Sequence, residues 1–183
     1  MNEFSDDTWL YEGGVLTKLE RPDRELAAVE VYDCTVRAAR LGRATLRRWV
    51  FEDCRFEDCD LSNARLDDCV FQRCVFSGCR LMGIDWRLVS KLSFDASYQD
   101  CNLSLSNFSA LSLVGFEFTQ SDCSEVDFSK SDLSRARFAS TVLTGAIFEQ
   151  TKLEEADLSQ AIDTRIDPLN NRVVGARFSV EGA

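Results

Sequence analysis

The chain contains no histidine. That absence removes the commonest general base, the Ser/His and Cys/His nucleophile pairs and the usual zinc sites, so an enzyme is not expected. No run of eighteen apolar residues occurs. The N-terminus (MNEFSDDTWLYEGG) has neither a basic start nor the apolar stretch of a secretion signal, so a cytoplasmic protein is expected. Neither GxGxxG nor GxxxxGK followed by Ser or Thr is present, which leaves nucleotide chemistry without a phosphate cradle. Positive charge is in short supply too: 21 Lys and Arg stand against 31 Asp and Glu, for a formal net charge of −10. This balance argues against nucleic acid and anionic membrane as ligands and points to a basic protein surface as partner. No cofactor is expected.

What the chain does have is a comb of large apolar residues at every fifth position. It runs unbroken from Leu41 through Phe51, Phe56, Phe71 and Phe76 to Leu81, and a second comb runs from Leu103 through Phe108, Phe128 and Phe148 to Leu158. A period of five fits neither a helix nor a flat strand, so each unit must turn a corner within a repeat architecture. Two places before most centres stands a smaller residue, often Cys or Ala, as at Cys54, Cys59, Cys74 and Cys79. Residues two apart on an extended segment share a side, so centre and small residue both point inward. The three remaining positions are mainly polar and face outward.

Reading every twentieth residue brings like residues into columns: Leu41, Leu61 and Leu81; Phe51 and Phe71; Phe56 and Phe76; Phe108, Phe128 and Phe148. Four units per coil predict a square β-helix, all-β, with roughly seven coils stacked at the strand spacing into a rod of about 35 Å. At 183 residues and 45% hydrophobic content the chain fits one domain. Residues 1–30 lack the repeat and are expected to cap the rod through Trp9, Leu10, Leu16 and Leu19. A first coil block spans 31–86 and a second spans 98–160. Between them the register shifts by two, so 87–97 must hold an insertion or loop; Arg87, Lys91 and Asp95 are its candidate contacts. A register correction without a partner is the other reading of that break. Residues 161–183 form a loop around Pro168 and a last coil.

Eight cysteines invite a metal or redox reading. Their five-residue spacing merely equals the repeat step rather than the two to four intervening residues of zinc motifs, and seven occupy the inward small position, where a free thiol packs as a compact hydrophobe. Asp60, Asn102, Asp122, Asp127, Asp132 and Asp157 precede their centres. A carboxylate array of this kind suggests calcium or a glycosidase, but Asp and Asn also brace turns. No catalytic or metal residue is assigned. Arg37, Arg40, Arg43, Arg47 and Arg48 form a stretch without acids, and acid dominates afterwards. On a rod without another site, the acidic surface becomes the main functional candidate: Glu52, Asp53, Glu57, Asp58, Asp67, Asp68, Glu117, Glu125, Glu154 and Glu155.

The tandem motif in EADLS, KSDLS, EVDFS and FEDCRFEDCDLSNARL resembles the pentapeptide-repeat family over residues 31–180. The resemblance implies a right-handed quadrilateral β-helix. FEDCRFEDCDLSNARLDDC, CRLMGIDW at the break and the ending DLSQAIDTRIDP with VVGARFS are similar to the topoisomerase-protecting branch, which includes Qnr-type quinolone-resistance proteins, AlbG and the microcin B17 immunity protein. That similarity implies a DNA mimic, with no enzymatic activity, that engages DNA gyrase or topoisomerase IV and relieves poisoned complexes. A protein-interaction scaffold with an unrelated cytosolic partner is the alternative. In that branch a hydrophobic helical tail follows the GARFS-like segment and joins two rods. Here Val180 to Ala183 alone follow Ser179, too short for a stable helix, so a homodimer is left open.

Overall fold

The computed structural model describes residues 2–3, 9–26 and 28–179, and it is a right-handed quadrilateral β-helix built from parallel pairings. Outside the break, centres sit on the centres one coil earlier. Arg55–Glu57 pairs with Thr35–Arg37, Val70–Gln72 with Val50–Glu52, and Arg65–Asp67 with Thr45–Arg47, each at a spacing of twenty. We call the faces first to fourth in chain order, with centres Phe56, Leu61, Leu66 and Phe71 in one coil. Where strands are too short to extend, single parallel bridges continue the ladder, as in Asn102 to Asp122 to Val142 to Ile162 on the second face.

The inward pairs fill the interior completely. On the first face Phe56, Phe76, Tyr98, Phe118 and Phe138 form a column of near-parallel rings with centroids 4.5–5.4 Å apart. Trp86, Phe108, Phe128 and Phe148 form the column of the third face, at 5.3–5.6 Å. Rings of the two columns meet edge to face, as Phe118 and Phe128 do at 75°, so offset stacking and T-shaped contact coexist in one core. Phe51, Phe71 and the cysteines Cys54, Cys59, Cys74 and Cys79 are buried with them.

Corners follow from local chemistry. Two residues after each centre the backbone enters the left-handed region, at Arg43 (φ 56°) and Asp58 (φ 54°) for example. The Ala44 N–H donates to the Leu41 carbonyl at 3.0 Å, which closes a four-residue turn with positive φ at its third residue, the type II geometry. Non-glycine residues tolerate this conformation because the inter-coil ladder over-determines it. The Asp or Asn before a centre braces the same turn: Asp60, Asn102, Asp122, Asp127, Asp132 and Asp157 each accept the N–H two residues on, at 2.8–3.1 Å.

The break is an insertion of two residues. Cys74 pairs with Ala96, twenty-two residues on, and the columns then continue. A short 3-10 turn, Trp86–Leu88, still keeps the spacing of twenty at the end of the third face, where the Asp68 N–H donates to the Leu88 carbonyl; the extra length is taken up on the fourth face around a second such turn, Lys91–Ser93, and Phe94 stacks on Trp86 at 5.6 Å. Residues 10–26 and 28–30, expected as part of a cap without repeat, instead belong to a coil: Leu10–Thr17 pairs in parallel with Glu30–Arg37, and Leu16 faces Val36. The fourth-face column therefore starts at Tyr11, and the rod has about eight coils and a length of about 40 Å. Leu16 and Leu19 are buried in this first coil, whereas Trp9 and Leu10 are exposed. At the other end the loop around Pro168 adds no residue to the count, since Lys152 still bridges Arg172. Val180 to Ala183 lie outside the described residues.

Candidate interaction surface

The sulfur atoms belong to the frame. The Cys54 thiol donates to the carbonyls of Val31 and Glu52, both at 3.3 Å, and the Cys59 thiol to Val36 and Glu57. Cys69, Cys74, Cys79 and Cys101 repeat this arrangement. In later coils Ser106 and Thr151 take the same position and donate to the same kind of carbonyl. Burial pushes the Cys54 thiol up to about 11 and the Cys69 thiol up to about 12, and it raises Cys74 and Cys123 as well. Such thiols are protonated and shielded rather than nucleophilic. All eight are free and buried, and among the described residues no group of three His, Cys, Asp or Glu could hold a metal ion.

Chemistry is therefore left to the outside, where charge is organised by the twenty-residue period. Arg37 pairs with Glu57 at 2.6 Å, Arg80 with Asp60 at 3.0 Å, Arg137 with Glu117 at 3.1 Å and Lys152 with Asp132 at 3.1 Å, while Arg172 reaches diagonally to Glu154 at 2.6 Å. Arg73 spans Glu52 and Asp53, each at 2.6 Å. Its hydrogen bond holds the Asp53 carboxyl below the usual carboxylate range. At Asp60 burial works the other way, but the Ser62 N–H and hydroxyl with Arg80 outweigh it and lower the carboxyl too.

Of the ten acidic candidates, six are thus tied to cations of the rod: Glu52, Asp53, Glu57, Asp67, Glu117 and Glu154. Asp58, Asp68, Glu125 and Glu155 make no ion pair among the described residues, and all four stand at corners. What lies one coil on explains it. Asp58, Glu125 and Glu155 are followed at that spacing by Gly78, Gly145 and Gly175, and Asp68 by Leu88. The Asp58 carboxylate packs so closely over Gly78 that a Cβ there would lie 2.6 Å from its oxygen. This distinction was accessible from the sequence by reading charge, not only apolar residues, at the period of twenty.

The loop candidates divide as well. The Arg87 guanidinium is held on the third face by Asp85, through two hydrogen bonds of 2.8 Å, and its N–H caps the same carboxylate. Asp95 is exposed, while its backbone N–H donates to Phe71 and its carbonyl accepts from Cys74. Lys91 is exposed beside Leu92, which is 96% exposed at the loop tip. An open polar groove near the loop is lined by Arg47, Arg48, Arg65, Asp67, Asp68 and Leu88.

Comparison with known proteins fits this geometry. The family model described as pentapeptide repeats matches residues 50–85 and 121–160 in eight copies. Over these two stretches the chain carries pentapeptide repeats. No curated protein matches it in sequence. Among solved structures, HetL, a pentapeptide repeat protein involved in heterocyst differentiation regulation in the cyanobacterium Nostoc sp. strain PCC 7120, is 17% identical with a TM-score of 0.59; the match covers 94% of this chain and 88% of HetL. A trypsin-treated variant of QnrB1, a plasmid-mediated fluoroquinolone resistance protein, is 20% identical over 95% of this chain and 91% of its own, with a TM-score of 0.49. At such identity the HetL likeness speaks for the fold, and the QnrB1 superposition carries no further argument. No helix among the described residues is long and apolar enough to cross a membrane.

Proposed function

We propose that this protein is a non-enzymatic DNA mimic that binds bacterial DNA gyrase, or the related topoisomerase IV, and protects it from a topoisomerase poison. The observation that carries the reading is the set of carboxylates at the corners of a rigid acidic rod that make no ion pair among the described residues. A site evolved for duplex DNA presents Lys and Arg to a line of phosphates, and Asp58, Asp68, Glu125 and Glu155 offer it carboxylates that no cation of the described residues pairs with. The sequence motifs shared with the topoisomerase-protecting branch support the same partner. The test is gyrase supercoiling in the presence of a panel of poisons. Wild-type protein is expected to restore activity or, at high dose, to inhibit it. The variant with Asp58→Asn, Asp68→Asn, Glu125→Gln and Glu155→Gln should bind more weakly by roughly 1–4 kcal/mol, at about 0.2–1 kcal/mol for each exposed charge. Absence of binding and of any effect with every poison would overturn the reading.

A second reading, an interaction scaffold for another partner, draws on the loop. Leu92 is almost fully exposed beside the exposed Lys91 on an otherwise regular rod, and loops on rigid scaffolds concentrate recognition. Pull-down with wild type and with Leu92→Ser separates the two readings: a partner other than a topoisomerase, lost on that substitution, favours the scaffold.

A further inference from the structure

On the second and third faces the outward residue just before each centre is polar through most of the rod: Arg40, Asp60, Arg80, Asn102 and Asp122 on one, Arg65, Asp85, Asn107 and Asp127 on the other. In the last coils this rule fails. Val142 and Ile162 stack on the second face through a parallel bridge, and Ile147 follows Asp127 on the third. Ile147 is 44% exposed and Ile162 52%, with the exposed Leu169 in the loop beyond them. The corner between the two faces in this coil is made by the exposed Thr144 and by Gly145 (φ 69°), over which the Glu125 side chain packs, so Val142 and Ile147 flank a corner whose own residues are small. The core does not explain these residues, because the inward positions of the same coil are filled by Thr141, Leu143 and Phe148.

The rim of this surface is acidic. Asp122, Glu125 and Asp127 border it in the preceding coil, and Glu149 and Asp167 on the third-face side; none forms an ion pair among the described residues. Asp122 and Asp127 are fixed by the N–H groups of Ser124 and Ser129, so their charges are held in place. Two cations lie near: Lys130 at the next corner, and Arg165, which faces Asp163 at 3.8 Å. An apolar centre inside a fixed negative rim would oppose a second copy of itself, since the same carboxylates would meet across the contact. We propose that these faces are a docking surface for a protein segment of complementary chemistry, one that places Leu, Ile or Val side chains between Lys or Arg. The apolar side chains supply the buried area, and the rim sets orientation and rejects acidic segments. Of the four corner carboxylates invoked above, this surface shares only Glu125, and the inference does not depend on the topoisomerase reading.

The test therefore contains no topoisomerase. The full chain, labelled with 15N, is titrated with a synthetic peptide of alternating Lys and Leu and with its Glu and Leu counterpart at about 150 mM salt, near physiological ionic strength. Shift changes with the Lys peptide are expected to concentrate at residues 142–149 and 161–169. The pair Ile147→Ser and Ile162→Ser should weaken binding about tenfold or more, as loss of apolar anchors does. The pair Asp122→Asn and Asp127→Asn retains the turn acceptors, so it should leave the rest of the spectrum unchanged and weaken binding more at low salt than at high. Shifts spread over all four faces, equal binding of the Glu peptide, or undiminished affinity in the Asn pair would overturn the proposal.

Discussion

Replacing Tyr98 by phenylalanine should make the protein more stable. Tyr98 is 1% exposed and sits in the ring column of the first face, 5.4 Å from Phe76 and 5.3 Å from Phe118. Its hydroxyl is buried and finds no hydrogen-bond partner among the described residues. The surroundings drive its pKa well above the usual tyrosine value, burial first and the nearby thiols of Cys101, Cys74 and Cys123 after it. In the unfolded chain that hydroxyl is hydrated. A buried polar group left without a partner costs about 1–3 kcal/mol, and Tyr98→Phe removes the group while keeping the stacked ring. For a chain of this size about 2–4 °C of melting temperature accompanies each kcal/mol, so the variant should melt about 2–12 °C higher. Urea titration followed by tryptophan fluorescence and by circular dichroism measures the midpoint, and an unchanged slope would place the effect in the native state. A solenoid can lose cooperativity, so the two probes must coincide before a free energy is taken. A lower midpoint in Tyr98→Phe would refute the reasoning, because it would mean that the hydroxyl is hydrogen-bonded in the native protein.

All eight cysteines are buried, so an aromatic disulfide reagent should label essentially none in the native protein and all of them in urea; fast labelling of even one would contradict the packing. Asp53, Asp132 and Asp157 have carboxyls lowered in the folded state, so their contribution is present above the ordinary carboxylate range and is lost as pH falls through it. The urea midpoint should therefore stay level from neutrality down to about pH 5 and drop below about pH 4, modestly per group because the pairs are exposed. Gly78→Ala combines a φ of 64° with a Cβ 2.6 Å from the Asp58 carboxylate, and should cost about 1–2 kcal/mol; equal stability in calorimetry would show that Asp58 swings away freely.

The comb of Phe and Leu was sufficient to read the inward pairs, the four faces and the position of the insertion, because each inward position carries its burial requirement in its own identity. The first coil was less legible. There Arg21 stands where a centre is due and Leu19 fills the neighbouring small position instead, so the pattern breaks although Leu10–Thr17 pairs in full register. The acidic surface was read as a composition rather than as contacts. Glu117 and Glu125 look alike in a single coil; only the residue one coil on, Arg137 for one and Gly145 for the other, decides which is neutralised. Val142, Ile147 and Ile162 do not stand out in the comb, because they lie one place before the centres, at a position that carries no burial requirement.

The charge ladder has a longer period than the backbone that carries it. Glu20, Arg40, Asp60 and Arg80 alternate in sign down the second face, and Glu117, Arg137, Asp157 and Arg177 down the first. The hydrogen-bond ladder repeats every coil, whereas this alternation repeats every second coil. Excising one coil would rejoin every backbone partner and yet set arginine against arginine or acid against acid; excising two would restore both. The rod thus has a parity, and duplication or deletion within it should be tolerated in even numbers of coils more readily than in odd ones.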